Sequence, residues 1–242
     1  MKNNISIIIP VFNEERRIKK TYLELKSLEK DFEDKNIEII FVDDGSTDST
    51  QKVIENFEFE KFNKRYFSTN HSGMMSAIFF GIKNSNYDII VTIEADMPIS
   101  LLSIKEHLLY LDNYDLIIGN RYHKKSKILN QPLIRFIISK VFIFLYKFFF
   151  KTNFNDPQIG YKIFKKTSFN KIKDKLQINH DGLKSFLMTI QFYKHNFKIK
   201  ELPVIYRYEN DSKNFNFTNF IKVIFGCLIG FYEIITYLNK NK

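Results

Sequence analysis

Ile37-Glu38-Ile39-Ile40-Phe41-Val42-Asp43-Asp44-Gly45-Ser46-Thr47-Asp48 is an apolar, β-branched run that ends on a cluster of acids, and Asp88-Ile89-Ile90-Val91-Thr92-Ile93-Glu94-Ala95-Asp96 repeats the pattern. Each run reads as a buried strand with carboxylates at its carboxyl end. In an open α/β sheet that end faces the ligand crevice, so acids delivered there meet substrate rather than coat a surface. Glu94 and Asp96 stand one residue apart in an extended segment and project to the same side. Two such oxygens suit Mg2+ or Mn2+, with phosphate and water completing the shell.

Working outward, Ile5 to Ile9 reads as another buried strand, stopped by Pro10, and Glu14 to Leu28 carries apolar residues at helical spacing. Ser46 or Thr47 can cap a helix running to about Phe57. Arg65 to Ser68 reads as a strand, Gly73 to Ile82 as a helix, Leu101 to Leu111 as a helix and Leu116 to Ile118 as a strand. This alternation predicts an α/β fold with a Rossmann-like, mostly parallel sheet. A length of 242 residues suits one large α/β domain with an appendage.

Lys and Arg exceed Asp and Glu by 37 to 27, a net charge of +10 that points towards phosphates, nucleic acid or anionic lipid. The excess is concentrated. Residues 116–155 hold no acid after Asp115, yet carry Arg121, Lys124, Lys125, Lys127, Arg135, Lys140, Lys147 and Lys151 among Phe136, Phe142, Phe144, Phe148, Phe149 and Phe150. Cations interleaved with aromatic and aliphatic residues favour a membrane surface over a nucleic-acid groove. The single cysteine, Cys227, rules out an internal disulfide framework. Only Ile5 to Ile9 precede Pro10 as an apolar run, too short for a signal peptide, so the cytoplasmic face of a membrane is expected, with peripheral or monotopic attachment.

A helix over Leu133 to Lys151 sets Arg135 and Ser139 on one side and Lys140, Lys147 and Lys151 in an adjoining sector, leaving the rest apolar. That pattern predicts a helix in the headgroup plane with snorkelling lysines; the alternative is a core helix. Phe215 to Leu238 is a second apolar stretch, broken by Lys222 and Glu233 and too short for an uninterrupted span.

Ile7-Ile8-Ile9-Pro10-Val11-Phe12-Asn13-Glu14-Glu15, the turn at Asp43 to Asp48, Gly73 with Ala77 and Gly81, Glu94-Ala95-Asp96, Gly119-Asn120-Arg121-Tyr122 and Asp156-Pro157-Gln158-Ile159-Gly160-Tyr161 follow in this order. Together they resemble the family 2 glycosyltransferases with the GT-A fold, above all the branch of dolichol-phosphate mannose synthases and polyprenyl-phosphate sugar transferases. The resemblance runs from about residue 5 to residue 213 and implies a GT-A unit over residues 1–213, including an acceptor helix at about 132–151; the apolar stretch beyond it reads as a membrane-associated helix over 214–242. It implies metal-dependent, inverting transfer of a sugar from GDP-mannose or a UDP-sugar to a polyprenyl or dolichyl phosphate. Pro10, Phe12, Glu14, Val42 and Asp44 match donor-binding positions, as do Ala95, Arg207 and Lys213. Asp96 matches the metal-binding acid, with Glu94 in place of the first acid of that motif. Arg121 matches a phosphate-contacting arginine, and Arg135 with Ser139 matches an acceptor signature. Asp96, Arg121, Arg135 and Ser139 are thus the expected catalytic set.

A lipid phosphate is already an anionic nucleophile and needs positioning more than deprotonation. Transfer to a glycan or glycolipid hydroxyl would need a base instead, for which Asp181 is the candidate, unless it only caps a helix. His71 is a weaker candidate base. A third reading is a catalytically inactive sugar-nucleotide-binding or membrane-surface protein.

Overall fold

The computed structural model describes residues 4–32, 35–96, 98–179, 181–208 and 217–240. Among them, the strands are β1 Ile5–Val11, β2 Ile37–Asp43, β3 Asn63–Ser68, β4 Ile89–Thr92, β5 Leu116–Asn120, β6 Lys127–Leu129, β7 Lys162–Lys165, β8 Ile199–Pro203 and β9 Ile205–Arg207. The helices are α1 Ile18–Leu28, α2 Thr50–Glu55, α3 Met74–Asn84, α4 Ile104–Leu108, α5 Leu133–Phe150, α6 Lys166–Asn170, α7 Lys184–Lys194 and α8 Phe217–Lys240.

The main sheet runs β3-β2-β1-β4-β7-β5-β8. Every neighbouring pair is parallel except those that β7 makes with β4 and β5. β1, β2 and β4 are buried along their whole length, as parallel strands covered on both faces must be. Ile8 pairs with Ile40 on one side and with Thr92 on the other, so the carboxyl ends of three strands come level. α3 lies close on β1 and β2 because Gly81 has no side chain: a Cβ there would come 2.6 Å from Ile8 Cγ2 and 3.1 Å from Val42 Cγ2.

The mostly parallel α/β sheet is therefore as the sequence predicts, with differences at the ends of elements. α1 begins at Ile18 rather than Glu14, because Glu14 forms a turn in which its own N–H donates to Thr50 Oγ1 (2.7 Å). α2 begins at Thr50, whose N–H goes to Asp48 Oδ1 at 2.9 Å, so the acceptor at the start of the helix is Asp48 rather than the expected Ser46 or Thr47. The expected helix at 101–111 is two 3-10 turns flanking a five-residue α4. The antiparallel β7 was not anticipated.

α5 reconciles the two alternatives for its segment. Its inner face is core: Tyr146 is fully buried, and Phe142 and Phe150 pack on Phe186 of α7 and Phe231 of α8. Its outer face leaves Leu133, Ile137, Val141, Phe144 and Phe148 exposed, and α8 adds exposed Phe225, Ile229 and Tyr232. The lysines differ from expectation. Lys147 Nζ is tied to Asn155 Oδ1 at 2.7 Å and Lys140 Nζ lies 4.7 Å over the Tyr122 ring, so both turn back onto the protein. Glu233 anchors α8 by accepting the Asn179 N–H. Among the described residues, no helix is long and apolar enough to cross a membrane.

Candidate active site

At the end of β1, Asn13 takes the left-handed conformation (φ 54°) and its Oδ1 accepts the Thr47 N–H at 2.8 Å, knitting the first strand end to the acidic turn after β2. Phe12 is left half-exposed and stacks on His71, with ring centroids 4.4 Å apart. Asp44 is buried: its carboxylate accepts the Ser72 and Gly73 N–H groups at 2.8 and 2.9 Å and lies 2.9 Å from His71 Nδ1. It shapes the loop beside the crevice. Pro10 and Val42 are also buried: Val42 is paired to β1 and β3 and its side chain faces α3, so the expected donor contact at Val42 is not open in this structure.

The second acidic cluster is tightly built. Glu94 has no room to spare, for a Cβ on Gly160 would fall 2.4 Å from Glu94 Oε1, and the Gly160 backbone bonds to this carboxyl. Burial, reinforced by the nearby Asp96 charge, pushes the Glu94 carboxyl up to about 7. Ala95 is buried, and its carbonyl accepts the Thr21 hydroxyl. Asp96 is one-third exposed, with Arg17 Nη1 4.0 Å away. Arg17 also forks onto both Glu14 oxygens at 2.7 Å, so it links Glu14 to Asp96. Nothing in the sequence reading singled out Arg17.

Among the described residues, no group of three or more His, Cys, Asp or Glu could hold a metal. Glu94 and Asp96 alone still fit a sparse Mg2+ or Mn2+ position. Both are hard oxygen donors, and the Asp96 charge destabilises that of Glu94 in a way that a cation would relieve. Pro98, buried just beyond, has no side-chain ligand to add.

On the other side stands Arg121. Its Nε and Nη2 form a fork onto Asp156 (2.8 Å each), its Nη1 donates to Tyr208 Oη at 3.2 Å, and its guanidinium lies 5.0 Å over the Tyr206 ring. Asp156 is held in turn: its N–H and that of Asn155 donate to Glu201 Oε1 at 2.8 Å. Below this loop, the buried Lys162 amine donates to the carbonyls of Pro157 and Ile159 and to Ser185 Oγ, and burial pushes it down to about 7. Thr189 Oγ1 takes the Pro157 carbonyl as well. Asp156, Lys162, Tyr206 and Tyr208 belong to the site, yet the sequence reading assigned none of them a role.

A cavity of about 420 Å3 brings Glu94, Arg121, Arg135 and Ser139 together, with Tyr122, Asp156, Gln158, Tyr206 and Tyr208 and the apolar α5 residues Ile138, Phe142 and Ile143. Arg135 lies 5.6 Å over the Tyr208 ring. Arg207 is not there. β9 alternates, so Tyr206 points inward while Arg207 lines a separate cavity of about 230 Å3 with Glu24, Ser27 and Ser100. Lys213 lies outside the described residues. Asp181 accepts the Met75 N–H (3.0 Å), the Ser76 N–H (3.2 Å) and the Ser76 hydroxyl (3.2 Å), with Lys184 Nζ at 3.1 Å. It caps α3, a different helix from the one it precedes, and it is fully engaged. His71 is likewise committed, to Phe12 and Asp44.

The mostly parallel α/β sheet carries acids at the ends of β2 and β4, and one of these, Glu94, lines a cavity with the Arg121 guanidinium, an architecture of the glycosyltransferase type. The Glycosyl transferase family 2 profile matches residues 6–173, and the chain belongs to that family. It is 24% identical over 213 residues to glycosyltransferase AglD of Haloferax volcanii, covering 86% of this chain and 34% of that protein. It is 27% identical over 214 residues to dolichol-phosphate mannosyltransferase of Pyrococcus furiosus, covering 86% and 58%. The chain thus spans about a third and somewhat over half of these relatives. Glucosyl-3-phosphoglycerate synthase of Mycobacterium tuberculosis, solved with Mg2+ and uridine diphosphate, superposes with a TM-score of 0.60 over 87% of this chain and 74% of that one, at 14% identity. The fold is GT-A, and residues 6–173 form a family 2 glycosyltransferase domain.

Proposed function

We propose that this glycosyltransferase moves a sugar from a nucleotide donor, GDP-mannose or a UDP-sugar, to a polyprenyl or dolichyl phosphate at the cytoplasmic face of a membrane. One observation carries the reading: Arg135 and Ser139 enter the same cavity as Glu94 and Arg121, from a helix whose opposite face is exposed and apolar. An acceptor that is at once anionic and greasy suits both features. The matched relative named for a dolichol-phosphate substrate adds support.

In this reading a phosphate oxygen of the acceptor attacks the anomeric carbon in line. The bond from that carbon to the diphosphate oxygen breaks, its electron pair leaves with the nucleoside diphosphate, and the sugar centre inverts. Glu94 and Asp96 would hold Mg2+ or Mn2+, which when bound offsets charge on the diphosphate. Arg135 and Ser139 orient the acceptor phosphate, and Arg121 supplies positive potential on the near side. Asp156 and Tyr208 keep the Arg121 guanidinium in one plane, so it needs no reorganisation. Phe12, beside the loop that Asp44 orders, receives the nucleoside, and Glu14 is set by Arg17. Residues 1–213 act as the catalytic unit and 214–242 as a membrane-associated helix.

Turnover tests this directly: Arg135→Ala should raise KM for a lipid phosphate at least tenfold while KM for the nucleotide sugar stays within twofold. Equal changes in both would contradict the assignment of α5 to the acceptor.

A further inference from the structure

Tyr122 stands beside the acceptor positions with a hydrogen bond to spare. Its hydroxyl is shut off from solvent and has no hydrogen-bond partner among the described residues. Ser139 lies close enough to help offset the upward push of burial on the phenol, but without hydrogen-bond geometry. An unpaired buried hydroxyl is costly, and such groups are rare in folded proteins, so a bound acceptor is the natural counterpart.

Its surroundings say what that counterpart is. The Tyr122 N–H donates to Asn120 Oδ1 at 2.8 Å, which fixes the start of the side chain. Lys140 Nζ lies 4.7 Å over one side of the ring, and the Arg121 guanidinium lies 5.7 Å from its centroid. Two cations at the ring favour an anion next to it. Of the two anions the reaction handles, the nucleotide diphosphate belongs near Glu94 and Asp96, whereas Ser139 and Lys140 both come from α5. A phosphate seated against Ser139 reaches Tyr122 as well.

We propose that the Tyr122 hydroxyl is a direct ligand of the acceptor phosphate, completing with Arg135 and Ser139 a three-donor cradle on the α5 side of the cavity. The inference rests on the lipid-phosphate reading above and names a residue that reading does not require.

Calorimetry of farnesyl phosphate, with farnesol as the neutral control, on the full chain and its Tyr122→Phe variant tests it. The variant should bind farnesyl phosphate roughly tenfold more weakly, about 1.4 kcal/mol. Its KM for the nucleotide sugar should be unchanged and its Tm should not fall, because the hydroxyl removed is unpaired in the free protein. Equal Kd values in the two proteins would overturn the proposal while leaving the lipid-phosphate reading intact, and a lowered Tm with unchanged Kd would assign the hydroxyl a structural bond instead. If the unaltered protein binds farnesol as tightly as farnesyl phosphate, the acceptor reading itself fails and the role of Tyr122 fails with it.

Discussion

Arg121 grips Asp156 through two parallel hydrogen bonds of 2.8 Å, and both side chains are largely withdrawn from solvent. The pair joins the end of β5 to the loop before β7, across the point where the sheet reverses direction. Removing one member of a buried pair strands the other, at a cost of about 3–5 kcal/mol. Asp156→Ala should therefore lower stability by about that amount in urea unfolding, and Arg121→Lys should lower kcat, because an ammonium cannot reproduce the fork. Unchanged stability in Asp156→Ala would mean that the pair does not fix the loop.

Asp181 offers a cleaner separation of roles. Its carboxylate caps α3 through Met75 and Ser76, so Asp181→Asn should cost about 0.5–2 kcal/mol of stability. Turnover on a lipid phosphate should stay within about tenfold of the parent. Loss of roughly 100-fold or more with the fold intact would instead mark a general base and a hydroxyl acceptor.

The buried acid and amine near the cavity set a pH signature. The Glu94 carboxyl is raised to about 7 in the folded protein, above its unfolded value of 4.5, so the folded state holds more protons between those values and this contribution to stability falls as pH rises from about 4.5 to 7. The Lys162 amine is lowered to about 7 from 10.5, so its contribution rises between about 7 and 10.5. In metal-free protein, Glu94→Gln should gain stability relative to the parent between pH 5 and pH 7. Lys162→Met should lose stability relative to the parent between pH 7 and pH 10. Denaturation midpoints at pH 5, 7 and 9.5 measure both differences. Parallel curves for parent and variants would show that neither group titrates in these ranges.

Phe144 and Phe148 are 68% and 70% exposed on α5, so replacing both with Ser should leave Tm nearly unchanged. If this face enters the headgroup region, each ring contributes up to about 1.5–3 kcal/mol of burial. The double variant should then sediment with anionic vesicles at least tenfold less well than the parent. Equal sedimentation would remove α5 from the membrane contact.

What the sequence made legible follows from period and position. The strands at 5–9, 37–42 and 89–93 were readable because continuous β-branched runs have one stable home, a sheet covered on both faces, and the acids that end them had to emerge at its carboxyl edge. Of the catalytic set expected from motif order, Arg121, Arg135 and Ser139 line one cavity with Glu94, whereas Asp96, turned towards Arg17, does not line it. β7 was obscure because Lys162-Ile163-Phe164-Lys165 is four residues long and its first lysine, Lys162, is buried, against all compositional expectation. That lysine is intelligible only once the carbonyls of Pro157 and Ile159 are seen to converge on it. Arg207 was matched by motif to the donor, whereas the two-residue period of β9 sends Tyr206 to the cavity and Arg207 to the other face. Val42 likewise follows the sheet's alternation into the core.

The most direct test is mass spectrometry of lipid products after incubating the chain with GDP-mannose or UDP-sugars, Mg2+ or Mn2+, and undecaprenyl or dolichyl phosphate. The account predicts a lipid phosphate heavier by one sugar, formed by the parent and reduced at least tenfold in Arg135→Ala. Donor turnover that glycosylates a hydroxyl acceptor and leaves every lipid phosphate unmodified would contradict it.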